Sequence, residues 1–383
     1  MSLLLLLLVH PALGLNLPLE AATPRGASRP YTAALVVPTG IGAAIGGFAG
    51  DALPVARAFT SVADTVITHP NVMNGAVLYW PQPSLQYCEG YALDEFAAGR
   101  WGLRPAQAQK VGLLLDKAIE PELRLRHMQA ADACRATLGV NVGAVVTTDE
   151  PLGVELRMSP AGASWGTLSR PDVLLAAARR LRDEADCTAI AVVARLPDDE
   201  DEEMLEAYRA GEGVDAVGGV EAIISHLITK ELKMPCAHAP ALGPLDVEEG
   251  LSPRACAEEL GHTFLPCILV NLGRAPTILD GSERSLPGDL WADDLDAIVV
   301  PAGAVGGPAT MARLGTRTLV VAVEENTSAL DVTAKALKAE EKDGVIVVRS
   351  YMEALGLLAA HKAGINPACM TADVASVREL ELK

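Results

Sequence analysis

A glycine-rich stretch near the start of the chain has the spacing of an anion-binding turn. Residues 36–52 read VVPTGIGAAIGGFAGDA and begin on a short apolar run typical of a β-strand. Backbone N–H groups of such a turn, at the start of a following helix, can hold a phosphate or a carboxylate. The alternative is a tight strand–helix turn without a ligand. The residues expected to cradle the anion are Thr39, Gly40, Gly42, Gly46 and Gly47.

The spacing of these glycines argues against two common nucleotide motifs. The pattern is GxGxxxG, whereas dinucleotide-binding turns have GxGxxG and an acidic residue about 20 residues further on. Here Thr68-His69 occupies the place of that acid. Gly42 and Gly47 have P-loop spacing, but Phe48 stands where that motif requires Lys. The sequence therefore excludes a P-loop and disfavours a nicotinamide cofactor.

A second group of polar residues follows the next predicted strand. Thr68 is followed by His69, Asn71 and Asn74, and open α/β sheets bind ligands at the carboxyl ends of their strands. We expect His69 to act as a general base and the two asparagines to orient a ligand. The alternative is a turn, because His-Pro and Asn-Gly are turn sequences.

The middle of the chain contributes a third group, in which His238 is the stronger catalytic candidate. Glu221 and His226 are five residues apart, which does not place them on one helix face and is not the HExxH spacing of zinc proteases. Cys236 and His238 would point to the same side of an extended chain, as a nucleophile pair would. The ligand-binding residues expected here are Gly218, Gly219 and Glu221.

A second glycine-rich turn, in the C-terminal part, echoes the first. Residues 299–307 read VVPAGAVGG, so both turns consist of a strand, a Pro, a small residue and glycines. Polar residues after the next strand would lie at the same sheet edge. Asn326 has the alternative role of a helix N-cap. The ligand contacts expected from this part are Gly303, Gly306, Gly307, Glu324 and Asn326.

Short apolar runs that alternate with helical patterns predict an α/β fold. We expect mostly parallel sheets with flanking helices, arranged as two Rossmann-like halves, because most of the runs are continuous and parallel strands are covered on both faces. The expected division is a targeting segment over 1–30 and α/β halves over 31–200 and 201–383. The acidic run at residues 198–203 marks the boundary as a solvated loop. The predicted strands are Ala34–Val37, Thr65–Thr68, Ala76–Tyr79, Gly112–Leu115, Asn141–Thr147, Ala189–Ala194, Cys267–Asn271, Ala297–Val300, Thr318–Val323 and Val345–Val348.

Helical spacing and start signals predict the helices between these strands. They are Pro105–Gln109, Glu120–Ala136, Pro171–Ala185, Glu221–Leu232, Pro253–Leu260, Thr327–Lys342 and Met352–Ala363.

Composition limits the partners of the protein. Its 383 residues carry a formal net charge of −18, which disfavours binding to nucleic acid or to an anionic membrane surface. The 7 Cys contain no CxxC pair, so free thiols are expected rather than a disulfide framework or a zinc ribbon. No metal-ligand spacing stands out, no apolar run after the N-terminus is long enough for a membrane span, and no cofactor or oligomeric state is indicated. A small molecule is the expected ligand.

The first 30 residues have the character of a targeting segment. Leu3 to Val9 form an apolar run too short to span a bilayer, and Ala12 and Gly14 are the small residues of a cleavage site. The stretch that follows carries Arg25 and Arg29 with Glu20 as its only acid, which is typical of a transit segment. This signal-and-transit combination predicts import into a plastid, with secretion as the alternative.

Four long motifs resemble a family of cyanobacteria and plastid-bearing algae. They are PTGIGAAIGGFAGDALPVAR, THPNVMNGAVLYWP, DAVGGVEAIISHLITKEL with HAPAL, and VPAGAVGGPAT with VEENTSALDVT. The chain is similar, from about Tyr31 to its C-terminus, to the domain of unknown function 3326 family. The resemblance implies no reaction, so it assigns no catalytic residue. It does strengthen the plastid expectation.

Two hypotheses follow from the sequence. The first is an enzyme of the group-transfer or lyase type that binds a small anionic or phosphorylated metabolite at the glycine-rich turns, with His69 or His238 transferring a proton. The second is a non-catalytic plastid factor that binds a pigment, a cofactor precursor or a partner protein.

Overall fold

The larger sheet consists of six parallel strands from both ends of the chain. The structure is a computed structural model that describes residues 29–379, except 74–75, 107, 198–201, 244–248, 262–263, 284, 375 and 378. In spatial order the strands are β14 (Ile346–Val348), β13 (Leu319–Val323), β12 (Leu295–Pro301), β1 (Thr32–Leu35), β2 (Thr65–Thr68) and β3 (Leu85–Tyr87).

A second parallel sheet has four strands from the middle of the chain. Their order is β10 (Cys236–Pro240), β9 (Ala189–Ala194), β5 (Val111–Leu115) and β6 (Val142–Thr147). Two antiparallel pairs complete the strands: β4 (Trp101–Arg104) with β11 (Thr277–Asp280), and β7 (Val154–Met158) with β8 (Ser164–Leu168). The predicted α/β class with mostly parallel sheets is confirmed.

Continuous apolar sequence explains why these strands lie at the centre. Every residue of β1, β5, β9, β10, β12 and β13 is buried. Helices cover the sheets, as parallel sheets require. They are α1 (Leu53–Phe59), α2 (Pro70–Met73), α3 (Gly90–Ala97), α4 (Pro121–Leu138), α5 (Pro171–Ala185), α6 (Glu202–Arg209), α7 (Gly218–Leu232), α8 (Leu265–Leu272), α9 (Pro308–Met311), α10 (Ala334–Leu337), α11 (Ala339–Lys342) and α12 (Tyr351–Ala363). Short 3₁₀ helices lie at Ala76–Leu78, Ala255–Gly261, Ala292–Asp294 and Pro367–Met370.

Two predicted strands are wrong, because short apolar runs do not separate strand from helix by periodicity. The Cys267–Asn271 run belongs to α8, whose first turn contains Pro266. The Ala76–Tyr79 run forms a 3₁₀ helix instead of a strand.

Three of the predicted helices also differ from the structure. Pro253–Leu260 gives way to the 3₁₀ helix Ala255–Gly261, and Thr327–Lys342 is helical only in α10 and α11. The described residues of Pro105–Gln109 are irregular.

The boundary expected at residue 200 does not separate the two sheets. Strands β1–β3 and β12–β14 form one sheet, although they come from opposite halves of the chain. The two sheets also share a buried apolar cluster that includes Leu35, Val299, Leu113 and Ala239. At one place they are joined directly, because the Tyr87 hydroxyl at the end of β3 donates to a carbonyl of β10, 2.9 Å away.

Three expectations from the sequence lie outside the described residues. These are the targeting segment before residue 29, the acidic run at 198–201 and Asn74. Asn71 is in α2, but its side chain is also outside the description. Among the described helices, none combines the length and the apolar character that crossing a bilayer needs.

Candidate functional site

A group of polar side chains lies where the edge strands β3 and β10 approach each other. The group brings together the end of β2, the end of β3, helix α7 and strand β10. We call it the histidine cluster, and it consists of His69, Glu89, Glu221, Ser225, His226 and His238. The sequence predicted three of these residues as parts of a site, namely His69, Glu221 and His238.

Glu89 is held in place by contacts to both of its carboxylate oxygens. It is 3% exposed and is the N-cap of α3, where one carboxylate oxygen accepts hydrogen bonds from the backbone N–H groups of Tyr91 and Ala92 at 2.8 and 3.3 Å. Its other oxygen pairs with Nδ1 of His226. Gly90 leaves room for this pair, because a β-carbon there would lie 2.9 Å from Cε1 of His226. The start of α3 therefore provides hydrogen bonds to the carboxylate and fixes its orientation.

His226 is the member of the histidine cluster that solvent reaches. Its side chain is 41% exposed, whereas that of Glu89 is 1% exposed. Burial of the ring lowers the pKa of His226, but the hydrogen bond and the charge of Glu89 outweigh it, so the pKa is raised above its usual value. His226 can therefore carry a proton near neutral pH and deliver it to a molecule at the surface of the cluster.

His238 is held between two residues of α7. Its Nδ1 lies 3.0 Å from the Ser225 hydroxyl, and its Nε2 lies 3.8 Å from a carboxylate oxygen of Glu221. If the hydroxyl donates to Nδ1, the ring proton is on Nε2 and faces Glu221. Burial, and then the charge of His226, lower the pKa of His238 to about 3. His238 is therefore neutral in the folded protein at neutral pH.

His69 is neutral for the same reasons. The backbone N–H of Val37, at the start of the first glycine-rich turn, donates to Nε2 of His69 at 3.0 Å. The ring proton is thus on Nδ1. Burial, followed by the charge of His226, lowers the pKa of His69 to about 4. His69 also fixes the position of the turn, because it accepts from its backbone.

The histidine cluster combines one ring whose pKa is raised, that of His226, with two whose pKa values are lowered, those of His69 and His238. Groups whose surroundings push their pKa values apart can serve as acid and base at one pH. Among the described residues, no three His, Cys, Asp or Glu side chains converge in a way that could hold a metal ion. The contrast between the raised pKa of His226 and the lowered pKa values of His69 and His238 suits the cluster to proton transfer.

The Cys236–His238 pair considered from the sequence does not form a nucleophile. Cys236 is fully buried, and its pKa is raised well above the usual value, first by burial and then by the charge of Glu89. A nucleophilic cysteine needs the opposite shift, because the thiolate is the reactive form.

Several backbone N–H groups of the first glycine-rich turn donate hydrogen bonds to other residues of the protein. Ala44 N–H donates to the Thr327 carbonyl at 2.9 Å, and Ile45 N–H donates to the Asn326 side chain at 2.9 Å. Gly46 N–H donates to the buried carboxylate of Asp51 at 2.7 Å. A carboxylate thus occupies the position where an anion would bind. We therefore correct the expectation that Gly46 cradles a ligand.

Asn326 has an architectural role rather than the expected ligand contact. It is 1% exposed, and its amide donates to the Ile45 carbonyl at 2.8 Å and lies 2.7 Å from the Tyr351 hydroxyl. Glu324, which was also expected to contact a ligand, is exposed at the start of the same segment. Gly47 is part of the tight turn, since a β-carbon there would lie 2.2 Å from the Ala43 carbonyl.

The second glycine-rich turn packs against the same 324–332 segment. A β-carbon at Gly303 would lie 2.1 Å from the Leu330 carbonyl, and one at Gly306 would lie 2.5 Å from Val332. Gly307 is the N-cap of α9, and its N–H donates to the Ala304 carbonyl. Gly303 and Gly306 therefore permit close packing against this segment, whereas a β-carbon at Gly307 would make an ordinary contact, 3.4 Å from the Ala304 carbonyl. The turns follow β1 and β12, which are neighbours in one sheet.

The start of the first turn lies against the start of α7. A β-carbon at Gly219 would lie 2.1 Å from the Ser164 carbonyl, so β8 and α7 are in close contact there. Ser164 also donates its N–H to the Gly40 carbonyl and accepts from Gly219 N–H. The structure therefore brings several predicted site residues to one place, next to the helix that carries His226. Apart from Gly219, they are Thr39 beside Gly218, Gly40 beside Ser164, and Gly42 beside Gly213.

Sequence reasoning missed Glu89, Ser225 and His226. Glu89 follows β3, and this three-residue strand is too short to be recognised from the sequence pattern. His226 was set aside because it does not share a helix face with Glu221. Its partner is instead on another element, which helical spacing cannot reveal.

We expect the change Asn326→Ala to lower the free energy of unfolding by about 3 kcal/mol, because it leaves buried polar groups of the first glycine-rich turn without partners. Urea denaturation measures the change. The matched control is Thr327→Ala, which removes an exposed neighbouring side chain and should change stability by less than about 0.5 kcal/mol. Equal effects of the two variants would contradict this role of Asn326.

Acid should destabilise the protein through His69 and His238. In the unfolded chain a histidine titrates near 6.5, whereas in the fold these two titrate at about 4 and about 3. Below pH 6.5 the unfolded chain binds more protons, so the free energy of unfolding falls as the pH falls. His69→Asn should reduce this slope by up to about 1.4 kcal/mol per pH unit between pH 6 and 4.5. His361→Asn is the control, and an unchanged slope in His69→Asn would contradict the assignment.

Comparisons with known proteins show the family to which the chain belongs. An uncharacterized lipoprotein of the cyanobacterium Synechococcus sp. is 53% identical over 345 residues, which cover 90% of this chain and 94% of the relative. The family model described as protein of unknown function (DUF3326) matches residues 32–371. This range includes both glycine-rich turns and the whole histidine cluster. The chain therefore belongs to the DUF3326 family.

Proposed function

We propose that the protein is an enzyme that transfers a proton to or from a small anionic metabolite at the histidine cluster. The observation that carries the proposal is His226, a half-exposed imidazole whose proton is stabilised by the buried carboxylate of Glu89. A positioned acid of this kind contributes about 10²–10⁴-fold to a reaction rate. Group transfer and elimination, as in a lyase, are the reaction types that need such a proton.

The roles within the histidine cluster follow from exposure. His226 touches the substrate and is the catalytic acid. Glu89 is a positioning residue, because it pairs with the His226 ring from the buried side and also caps α3. The sequence led us to expect proton transfer by His69 or His238, but these residues are only 5% and 6% exposed. We therefore assign proton transfer to His226. They remain neutral neighbours whose burial limits the cluster to a single positive charge.

An anionic substrate would pair with the ring of His226, although the carboxylates Glu89 and Glu221 lie in the same cluster. Among the described side chains of the histidine cluster, His226 carries the only positive charge, and it lies where solvent has access. Thr39 and Gly40 lie close to the start of α7 and would contact a substrate from the side of the first turn. Gly46 is left out of this role, because its N–H bonds to Asp51.

For location, we propose export across a membrane, with the plastid stroma as the specific destination and secretion as the alternative. The support is the apolar and then basic character of residues 1–30 and the name of the Synechococcus relative, which is called a lipoprotein.

The test of the proposed enzyme is metabolite turnover in D₂O. Purified protein is incubated with a small-molecule extract of its source organism, and mass spectrometry follows depletion and deuterium incorporation. We expect at least one anionic metabolite to change. His226→Gln should slow that change by about 10²–10⁴-fold, because it removes the proton while leaving a polar side chain.

His361→Gln is the matched control, since His361 is also partly exposed but lies on α12, away from the histidine cluster. It should keep the wild-type rate. Equal turnover by wild type and His226→Gln would contradict the catalytic role. A ligand or pigment that binds without turnover would favour the non-catalytic binding factor instead.

A further inference from the structure

A cavity of about 120 Å³ lies beside β3, at a place that the proposed reaction does not use. It lies between β3, the C-terminal end of α8 and the loop that begins at Pro105. Gln86, which lines it, is three residues before Glu89, so about 10 Å of strand separates the cavity from the histidine cluster. The cavity is therefore a separate feature of the fold.

Two buried polar atoms without hydrogen-bond partners among the described residues belong to side chains that line this one cavity. They are Nδ2 of Asn271, on a residue that is 5% exposed, and Oε1 of Gln86. Buried polar groups are nearly always bonded, and an orphan is costly unless something else satisfies it. Each side chain ends in an amide that offers both a donor and an acceptor. A ligand in the cavity that reaches these two amides would satisfy both residues.

The remaining lining gives the chemical class of that occupant. Arg274 is an exposed residue that lines the cavity, and guanidinium groups bind carboxylates well. Pro83, Pro105 and Val270 supply apolar walls. The volume is close to the roughly 150 Å³ that holds a benzene molecule, so about six non-hydrogen atoms fit.

We infer that this cavity is a binding site for a short-chain carboxylate that also carries a hydrogen-bond donor, such as a small 2-hydroxy or 2-amino acid. Arg274 and the Asn271 amide take the carboxylate, the Gln86 carbonyl accepts from the hydroxyl or amino group, and the prolines contact the hydrocarbon part. The site goes beyond the proposed reaction and does not depend on it.

The probes are L-lactate and L-alanine, with propionate as the matched compound without a donor and lactamide as the one without a charge. Ligand-observed NMR on the full chain measures the dissociation constants. We expect one of the first two probes to bind in the millimolar range. Propionate and lactamide should each bind at least about fivefold more weakly, because each leaves one buried partner unpaired.

Two variants and a control separate this site from nonspecific binding. Arg274→Gln changes an exposed residue that can be replaced without disturbing the core, and it should weaken binding about tenfold. Asn271→Leu should abolish binding, whereas Arg317→Gln, another exposed arginine, should leave it unchanged. Equal affinity for propionate and lactate, no effect of Arg274→Gln, or no binding of any probe would each overturn the inference. Because none of these measurements involves turnover, their outcome is independent of His226.

Discussion

The pairing of the Glu89 carboxylate with the start of α3 and with His226 is the interaction on which the rest of the site depends. Burying a carboxylate is costly unless it is bonded on all sides. Glu89 meets this condition, since one oxygen receives two backbone N–H groups and the other receives the imidazole. Its position also links the end of a strand in one sheet to a helix that packs on the other. The proton on His226 is a consequence of that link.

The second glycine-rich turn and the middle of the first support the site instead of forming it, whereas Thr39 and Gly40 lie next to the start of α7. Residues 324–332 cross both turns and bond to the first through Asn326 and Thr327. The first turn in turn donates a backbone N–H from Val37 to His69. Tight packing of this kind requires residues without a β-carbon at Gly303 and Gly306. The orientation of His69 thus depends on contacts that begin at the far end of the chain.

The sequence was sufficient for features that are local or that repeat along the chain. Continuous apolar runs identified parallel, doubly covered strands such as β9 and β12, and Pro171 marked the start of α5 correctly. The pattern could not distinguish α8 from a strand, because an apolar helix buried on all sides has no periodicity. It also could not pair His226 with Glu89, which are 137 positions apart and meet only when the two sheets pack together. The sequence likewise predicted that Asn326 contacts a ligand, because the residues that bond to its side chain are distant in the sequence.

A pH titration of the histidine rings by NMR tests most directly which ring holds the proton. It uses protein with isotope-labelled imidazoles. We predict that His226 titrates above 6.5, because its bond to Glu89 outweighs its burial. His69 and His238 should stay neutral until the pH falls to about 4 and about 3. A pKa of His226 below 6.5, or titration of all three rings near their ordinary value, would contradict the claim that this cluster holds one proton for catalysis.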